Sequence, residues 1–286
     1  MAYRLQSCFN TILFTSIILF AFITLPLTIL AAPTYSLNIR NNGATTAFTD
    51  PVTNISFQRF FGAKSAFAFG IALPQNPNDS FIGQMSFPLG SGAAGWGGWS
   101  LTSDMEGPLL MAAWASPDGK VLSSFRQAAN EDENPPEVTG KFNVRPIARG
   151  TSVNGSFLTY TFLCQGCLDA SFGLGAADTA GTFEMGWALG NKAVGNPGSS
   201  AAVLNFHNVG FDGFDADLQA ARFADFETWA ALAAPTPLAP SAGATAFSPG
   251  KGGDDDDDDD NDKKKKKKGG DKKSGGDGDD SDDEDD

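Results

Sequence analysis

The chain has 286 residues, room for one large domain or two small ones, with a formal net charge of −14 and a single histidine. A balance of that sign builds no basic groove, so nucleic acid is excluded as the expected partner. One imidazole also excludes a histidine-pair metal site and any dyad that needs two.

From the N-terminus, Arg4 precedes an uncharged apolar run from Thr11 to Ala32 that ends on Ala31 and Ala32. A basic start, an apolar stretch and small closing residues read as a secretory signal peptide over 1–32. The run is also long enough to span a bilayer if retained, but Pro26 and the closing alanines favour cleavage. The expected setting is therefore secreted and extracellular, with no membrane association after cleavage. Cysteine usage agrees, because Cys8 leaves with the leader and the mature chain keeps Cys164 and Cys167. Asn54, Asn78 and Asn154 each open an Asn-x-Ser acceptor sequence and are possible glycosylation sites.

Residues 33–233 read as one all-β domain. Ser65 to Leu73 alternates large and small side chains with the period of a strand, and Thr182 to Leu189 does the same. Leu109 to Trp114 and Lys120 to Arg126 flank Pro117-Asp118-Gly119, which places Pro and Gly where a β-turn wants them. Val144 to Arg149 and Ser156 to Cys164 read as a second hairpin turning at Asn154-Gly155. About eight strands with glycine-rich turns predict an antiparallel β-sandwich, immunoglobulin-like in architecture. A helix is expected near the end, capped by Asp215, with Leu218, Arg222, Phe226 and Trp229 at helical spacing. Residues 234–253 are Pro, Ala and Gly-rich and read as an extended linker. The Asp and Lys blocks of 254–286 have no apolar side chains to offset ordering entropy, so a disordered tail is expected there.

Few residues offer chemistry. Cys164-Gln165-Gly166-Cys167 lacks the second pair of ligands a zinc site needs. Leu168 stands where covalent haem attachment requires histidine, and no βαβ pattern supports a redox dithiol. A local disulfide at the strand end remains. Nucleophilic serine chemistry would depend on His207, and no Gly-x-Ser-x-Gly elbow occurs. Asp104, Glu106, Asp212, Asp215 and Asp217 are candidate acid–base carboxylates, although such residues in turns are usually solvated caps. The glycines from Gly90 to Gly98 precede no helix and no Lys-Ser/Thr pair, so they read as turns rather than a phosphate cradle. No catalytic residue is assigned.

Three motifs occur in a fixed order. Met105 lies between Trp96 and Trp114, nine residues from each; Phe162-Leu163-Cys164-Gln165-Gly166-Cys167 follows; His207 then precedes Gly210, Phe211, Gly213, Phe214 and Asp215. This set resembles the cytochrome domain of cellobiose dehydrogenase over roughly residues 45 to 231, in a stand-alone form without a flavin domain. The resemblance implies a DOMON-like β-sandwich with non-covalent haem b, Met105 and His207 as axial ligands to the iron, and a Cys164–Cys167 disulfide. Trp96, Trp99, Phe206 and Phe211 would line an apolar slot, with Asn205 or a backbone carbonyl orienting His207. One departure is the acidic stretch from Gln127 to Glu133, where the family often places aromatic residues near a haem propionate.

The function implied is a secreted b-type cytochrome that relays single electrons. Its donor would be an extracellular flavin sugar dehydrogenase, and its acceptor a copper polysaccharide monooxygenase or ferric iron. The alternative is a haem-free module that binds carbohydrate on exposed tryptophans.

Overall fold

The computed structural model describes residues 43–131 and 133–250. The leader expected over 1–32 and the tail expected over 254–286 lie outside the described residues. In chain order the strands open with an antiparallel run, β1 (Thr46–Thr49), β2 (Ser56–Phe61), β3 (Ala68–Pro74) and β4 (Phe81–Pro88). Then come β5 (Trp96–Ser100), β6 (Leu110–Ala115) and β7 (Val121–Arg126), the seed of a second sheet. β8 (Val138–Thr139), β9 (Asn143–Pro146), β10 (Ser152–Val153) and β11 (Phe157–Gln165) follow. The chain returns to the second sheet with β12 (Thr182–Gly190) and β13 (Gly210–Asp217), then adds β14 (Arg222–Phe223), a helix α1 (Phe226–Ala230) and β15 (Thr245–Ala246).

Two sheets result. One runs β1-β2-β3-β4-β11-β10, with β9 also pairing β11 and β14 added parallel to β3. The other runs β13-β12-β5-β6-β7 and is antiparallel throughout. The antiparallel β-sandwich expected from the turn and strand pattern is therefore present. The first expected hairpin forms, with β6 pairing β7 around Pro117-Asp118-Gly119. The second turns at Asn154-Gly155 as expected, but its first arm is the short β10, and the expected arm from Val144 contributes β9, which pairs the far end of β11.

Period-two alternation sends one face of each sheet into a shared core. Phe69, Phe81, Met85, Phe87 and Phe162 from the first sheet meet Trp99, Met111, Met185 and Phe214 from the second. Aromatic side chains carry much of this burial, at about 1.5–3 kcal/mol for each fully buried large apolar group. Tyr160 on β11 crosses the core and accepts a 3.0 Å bond from Ser123 on β7, so one polar contact stitches the sheets together. Its full burial pushes the phenol pKa well above the ordinary tyrosine value.

The outer face of the first sheet is not bare. Ile55, Phe57, Ile82 and Leu163 form a second cluster, sealed by Phe226 and Trp229 of α1. That helix is shorter than expected. Asp215 is a strand residue paired with Glu184, Arg222 pairs with β3, and only Phe226–Ala230 is helical. Backbone pairing with neighbouring strands wins over the side-chain spacing that suggested a helix.

Composition also misled about the segment after Ala234. It is extended, as a linker would be, but it is packed as a strap along the sandwich. Leu238 N–H donates to the Val144 carbonyl, Ser241 binds the buried Glu137 carboxylate, and β15 pairs in parallel with β8. Phe247 then inserts against Phe142 and Phe172, with ring centroids at 6.2 and 4.9 Å.

Candidate functional site

The outer face of the five-stranded sheet has an unusual surface. Register places Gly98 between Ala188 and Ala112, and Ser100 between Gly186 and Leu110. Apart from Leu110 at its edge, the centre of the face is therefore built from side chains no larger than a methyl or hydroxymethyl group. Trp96, paired with Trp114, stands at one end of β5. Trp96 and Trp114 turn away from the core and pack with Val194, Ala202 and Leu204 of the loop that crosses above them.

Two connections rise from opposite ends of this floor. The β5–β6 connection leaves beside Ser100 and carries Met105, and the β12–β13 connection leaves beside Gly190 and carries His207. Between them lies a cleft of about 1130 Å³, counting its open mouth. Trp96, Gly98, Ala112, Gly186, Ala188, Met105 and His207 all line it, with Asp104, Arg126, Glu131 and Asp212 adding charge.

Short-range bonds shape the methionine loop. Ser100 Oγ and Thr102 Oγ1 donate to the Asp104 carbonyl at 2.9 and 3.2 Å, and Glu106 N–H returns to Asp104 Oδ1 at 2.9 Å. The loop lies directly on β12. A Cβ placed on Gly186 would sit 2.7 Å from the Thr102 carbonyl, so only glycine admits this approach.

The histidine loop is held from below. Trp96 Nε1 donates to the Asn205 carbonyl at 2.9 Å, Leu204 N–H binds Asn134 Oδ1 at 2.8 Å, and Val209 N–H binds the Leu189 carbonyl at 3.1 Å. The imidazole sits between Phe206 and Phe211, with ring centroids at 4.2 and 4.3 Å. Its burial lowers the His207 pKa from its ordinary value, and Nδ1 is buried without a hydrogen-bond partner. Asn205 does not orient it as expected, because its side-chain amide binds the Ala193 carbonyl instead.

Arg126 closes the far side. Its guanidinium donates to Ser124 Oγ and to the carbonyls of Pro135, Ser200 and Ala202 at 2.8–3.0 Å. Burial lowers its pKa to about 10, which still leaves it charged at neutral pH. Four neutral acceptors thus hold one buried cation beside the cleft.

The structure brings Met105 and His207 to one cleft and puts Cys164 and Cys167 elsewhere, disulfide-bonded at the end of β11 on the other sheet. Trp96, Phe206 and Phe211 face the cleft region as expected. Trp99 also borders the cleft, while its ring packs in the core on Phe69, Phe81 and Phe162. Asn54, Asn78 and Asn154 are all exposed. No tryptophan is among the exposed large apolar residues of the described chain. The small-residue floor and Arg126 were missed from sequence. The large–small alternation of β12 contained the floor, but only strand register shows that its small side faces a cleft.

The sequence profile described as the cytochrome domain of cellobiose dehydrogenase matches residues 48–228. The chain belongs to this family. The cytochrome domain of Myriococcum thermophilum cellobiose dehydrogenase superposes with a TM-score of 0.60 at 27% identity, covering 69% of this chain and all of that one. The cytochrome b domain of pyranose dehydrogenase from Coprinopsis cinerea shares the fold, with a TM-score of 0.58 at 23% identity over the same share of this chain and all of that domain. A Coprinopsis cinerea pyrroloquinoline quinone-dependent pyranose dehydrogenase is 29% identical over 152 residues, 51% of this chain but 20% of that protein. The chain thus spans about one fifth of this curated relative.

Family membership makes this an electron-transfer cytochrome domain of a haem b-binding family. The cleft fits such a group. Its floor is flat because Gly98, Ala112, Gly186 and Ala188 carry almost no side chain, and an imidazole whose Nδ1 is buried without a hydrogen-bond partner sits at its wall. Such a nitrogen fits a histidine made to bind a metal rather than a proton.

Proposed function

We propose that this domain holds haem b in the cleft between the two loops, where Met105 and His207 would hold its iron, and relays single electrons. The observation that carries the reading is the meeting of these two side chains, on connections from opposite ends of β5, at one small-residue floor. When bound, the haem supplies a one-electron couple whose potential a thioether ligand raises. Phe206 and Phe211 hold the imidazole on both sides, and Trp96 fixes its loop through the Asn205 carbonyl. The Ser100 and Thr102 hydroxyls fix the carbonyl of Asp104, next to Met105. Held by Met105 and His207, such a group would supply electron relay.

The donor in this reading is an extracellular sugar dehydrogenase that carries flavin, or one that depends on pyrroloquinoline quinone, as the pyranose relative's name indicates. The acceptor is a copper polysaccharide monooxygenase or ferric iron. A secreted location is supported by the Thr11–Ala32 run, the Cys164–Cys167 disulfide and the exposed sequons, at which glycosylation is proposed. Absorption spectra of the purified protein, oxidised and then reduced by dithionite, test the reading. A low-spin b-type spectrum that cycles reversibly is expected, and a colourless protein that reconstitutes no haem would contradict it.

A further inference from the structure

We propose that Gln127 is a positioning residue that clamps the Met105 loop to the C-terminal strap. This rests on Met105 being an iron ligand. The strap lies beyond residue 228, where the family match ends, so the clamp joins the shared fold to a segment outside the matched region.

Gln127 follows the last residue of β7 and is only 7% exposed. A buried primary amide needs its hydrogen-bonding groups satisfied, because each one left unpaired costs about 1–3 kcal/mol. Both Nε2 hydrogens are used. One goes to the Gly107 carbonyl at 2.9 Å, two residues past Met105, and the other to the Ser248 carbonyl at 2.8 Å. Oε1 accepts from Ser248 N–H at 3.0 Å. One side chain therefore reads two backbones at once.

The neighbouring bonds act in the same direction. Gly107 N–H donates to the Ala128 carbonyl at 3.1 Å, so both polar groups of Gly107 are taken by residues 127 and 128. Gly107 has φ +88°, a left-handed conformation that favours glycine and makes the turn after Met105 a specific one. Leu109 N–H binds the carbonyl of Phe172, whose ring packs on Phe247 of the strap. On the other side of Met105, the Asp104 carbonyl is pinned by Ser100 and Thr102. Met105 is thus tied on both sides, and the later tie runs through Gln127 to Ser248.

A thioether is a weak, neutral ligand on a flexible side chain, so its hold on iron depends on how little freedom its backbone has. The clamp supplies that restraint, and loosening it frees Met105 without touching the cleft floor or the His207 loop.

The test uses full-length haem-loaded protein as wild type, Gln127→Leu, Ser248→Pro, Met105→Leu and the Gln127→Leu/Met105→Leu double variant. Three quantities are read: cyanide binding rate to the ferric form, reduction midpoint, and amide hydrogen exchange over residues 101–109 and 204–211. Gln127→Leu and Ser248→Pro are expected to speed cyanide binding about tenfold, the worth of roughly one hydrogen bond. They should also lower the midpoint and speed exchange in 101–109, leaving 204–211 at wild-type rates. The double variant should bind cyanide no faster than Met105→Leu alone. Ser248→Pro removes one N–H and keeps the Gln127 side chain, so it decides the matter should Gln127→Leu not fold. Wild-type cyanide rates and midpoints in both clamp variants, with Met105→Leu shifting both, overturn the clamp and leave the ligand reading intact. A Met105→Leu variant with unchanged rate and midpoint overturns the ligand reading, and the clamp with it.

Discussion

Trp96 Nε1 donates to the carbonyl of Asn205 at 2.9 Å, so the first residue of β5 holds the loop that carries His207. The indole is 7% exposed, and its edge also approaches the imidazole at 6.5 Å. One tryptophan thereby belongs to the floor and to the wall of the same cleft.

Trp96→Phe keeps an aromatic ring there and leaves the Asn205 carbonyl without its donor. Stability is expected to fall by about 1–2 kcal/mol, measured by urea unfolding of the apoprotein. Haem should also dissociate faster from the variant, as followed by transfer to apomyoglobin. Wild-type values of both would show that the bond holds nothing of consequence.

Gly186→Val tests the contact between β12 and the methionine loop. A Cβ at this position lies 2.7 Å from the Thr102 carbonyl, so the loop must lift. The expected cost is about 1–3 kcal/mol, the usual range for overpacking. The ferric spectrum should move toward high spin because Met105 is carried away with its loop. A stable variant with an unaltered spectrum would place the loop's hold elsewhere.

The hairpin turns were legible in the sequence because Pro117-Asp118-Gly119 and Asn154-Gly155 act locally. Strands β3 and β12 were legible through their alternation. Asp215, Leu218 and Arg222 misled because helical spacing in a short segment competes with strand partners far away in sequence. Glu184 claims Asp215, and Leu73 claims Arg222. The strap was illegible for a related reason. Its packing rests on a few side chains, chiefly Ser241 and Phe247, whose partners Glu137 and Phe172 become neighbours only after folding. At the site, Met105 and His207 were found from motif order. The floor was not, because glycine and alanine in a strand give no sign of which face they serve.

Tyr160 gives the molecule a pH dependence at the alkaline end. Its pKa is raised by burial, so the unfolded chain releases this proton first as pH rises past about 10. The stabilisation is complete below that pH and falls as pH climbs toward the folded-state value, at up to about 1.4 kcal/mol per pH unit. Tyr160→Phe should flatten this part of the curve and cost about 1 kcal/mol at neutral pH through the lost Ser123 bond. Urea unfolding at a series of pH values above neutrality checks both effects; equal slopes for the two proteins would count against them.

The Cys164–Cys167 disulfide closes only a short loop on the sheet away from the cleft. Replacing both cysteines by serine is expected to cost about 2 kcal/mol on a loop-entropy argument, with the haem spectrum and midpoint unchanged. A shifted midpoint would mean the two sheets are coupled through the core.

The ligand assignment is tested most directly by low-temperature electron paramagnetic resonance of the ferric protein as wild type, Met105→Ala and His207→Ala. A single low-spin signal is predicted for the wild type, replaced by a high-spin signal in each variant. Low-spin signals identical to wild type in both variants would contradict Met105 and His207 as the residues that hold the iron.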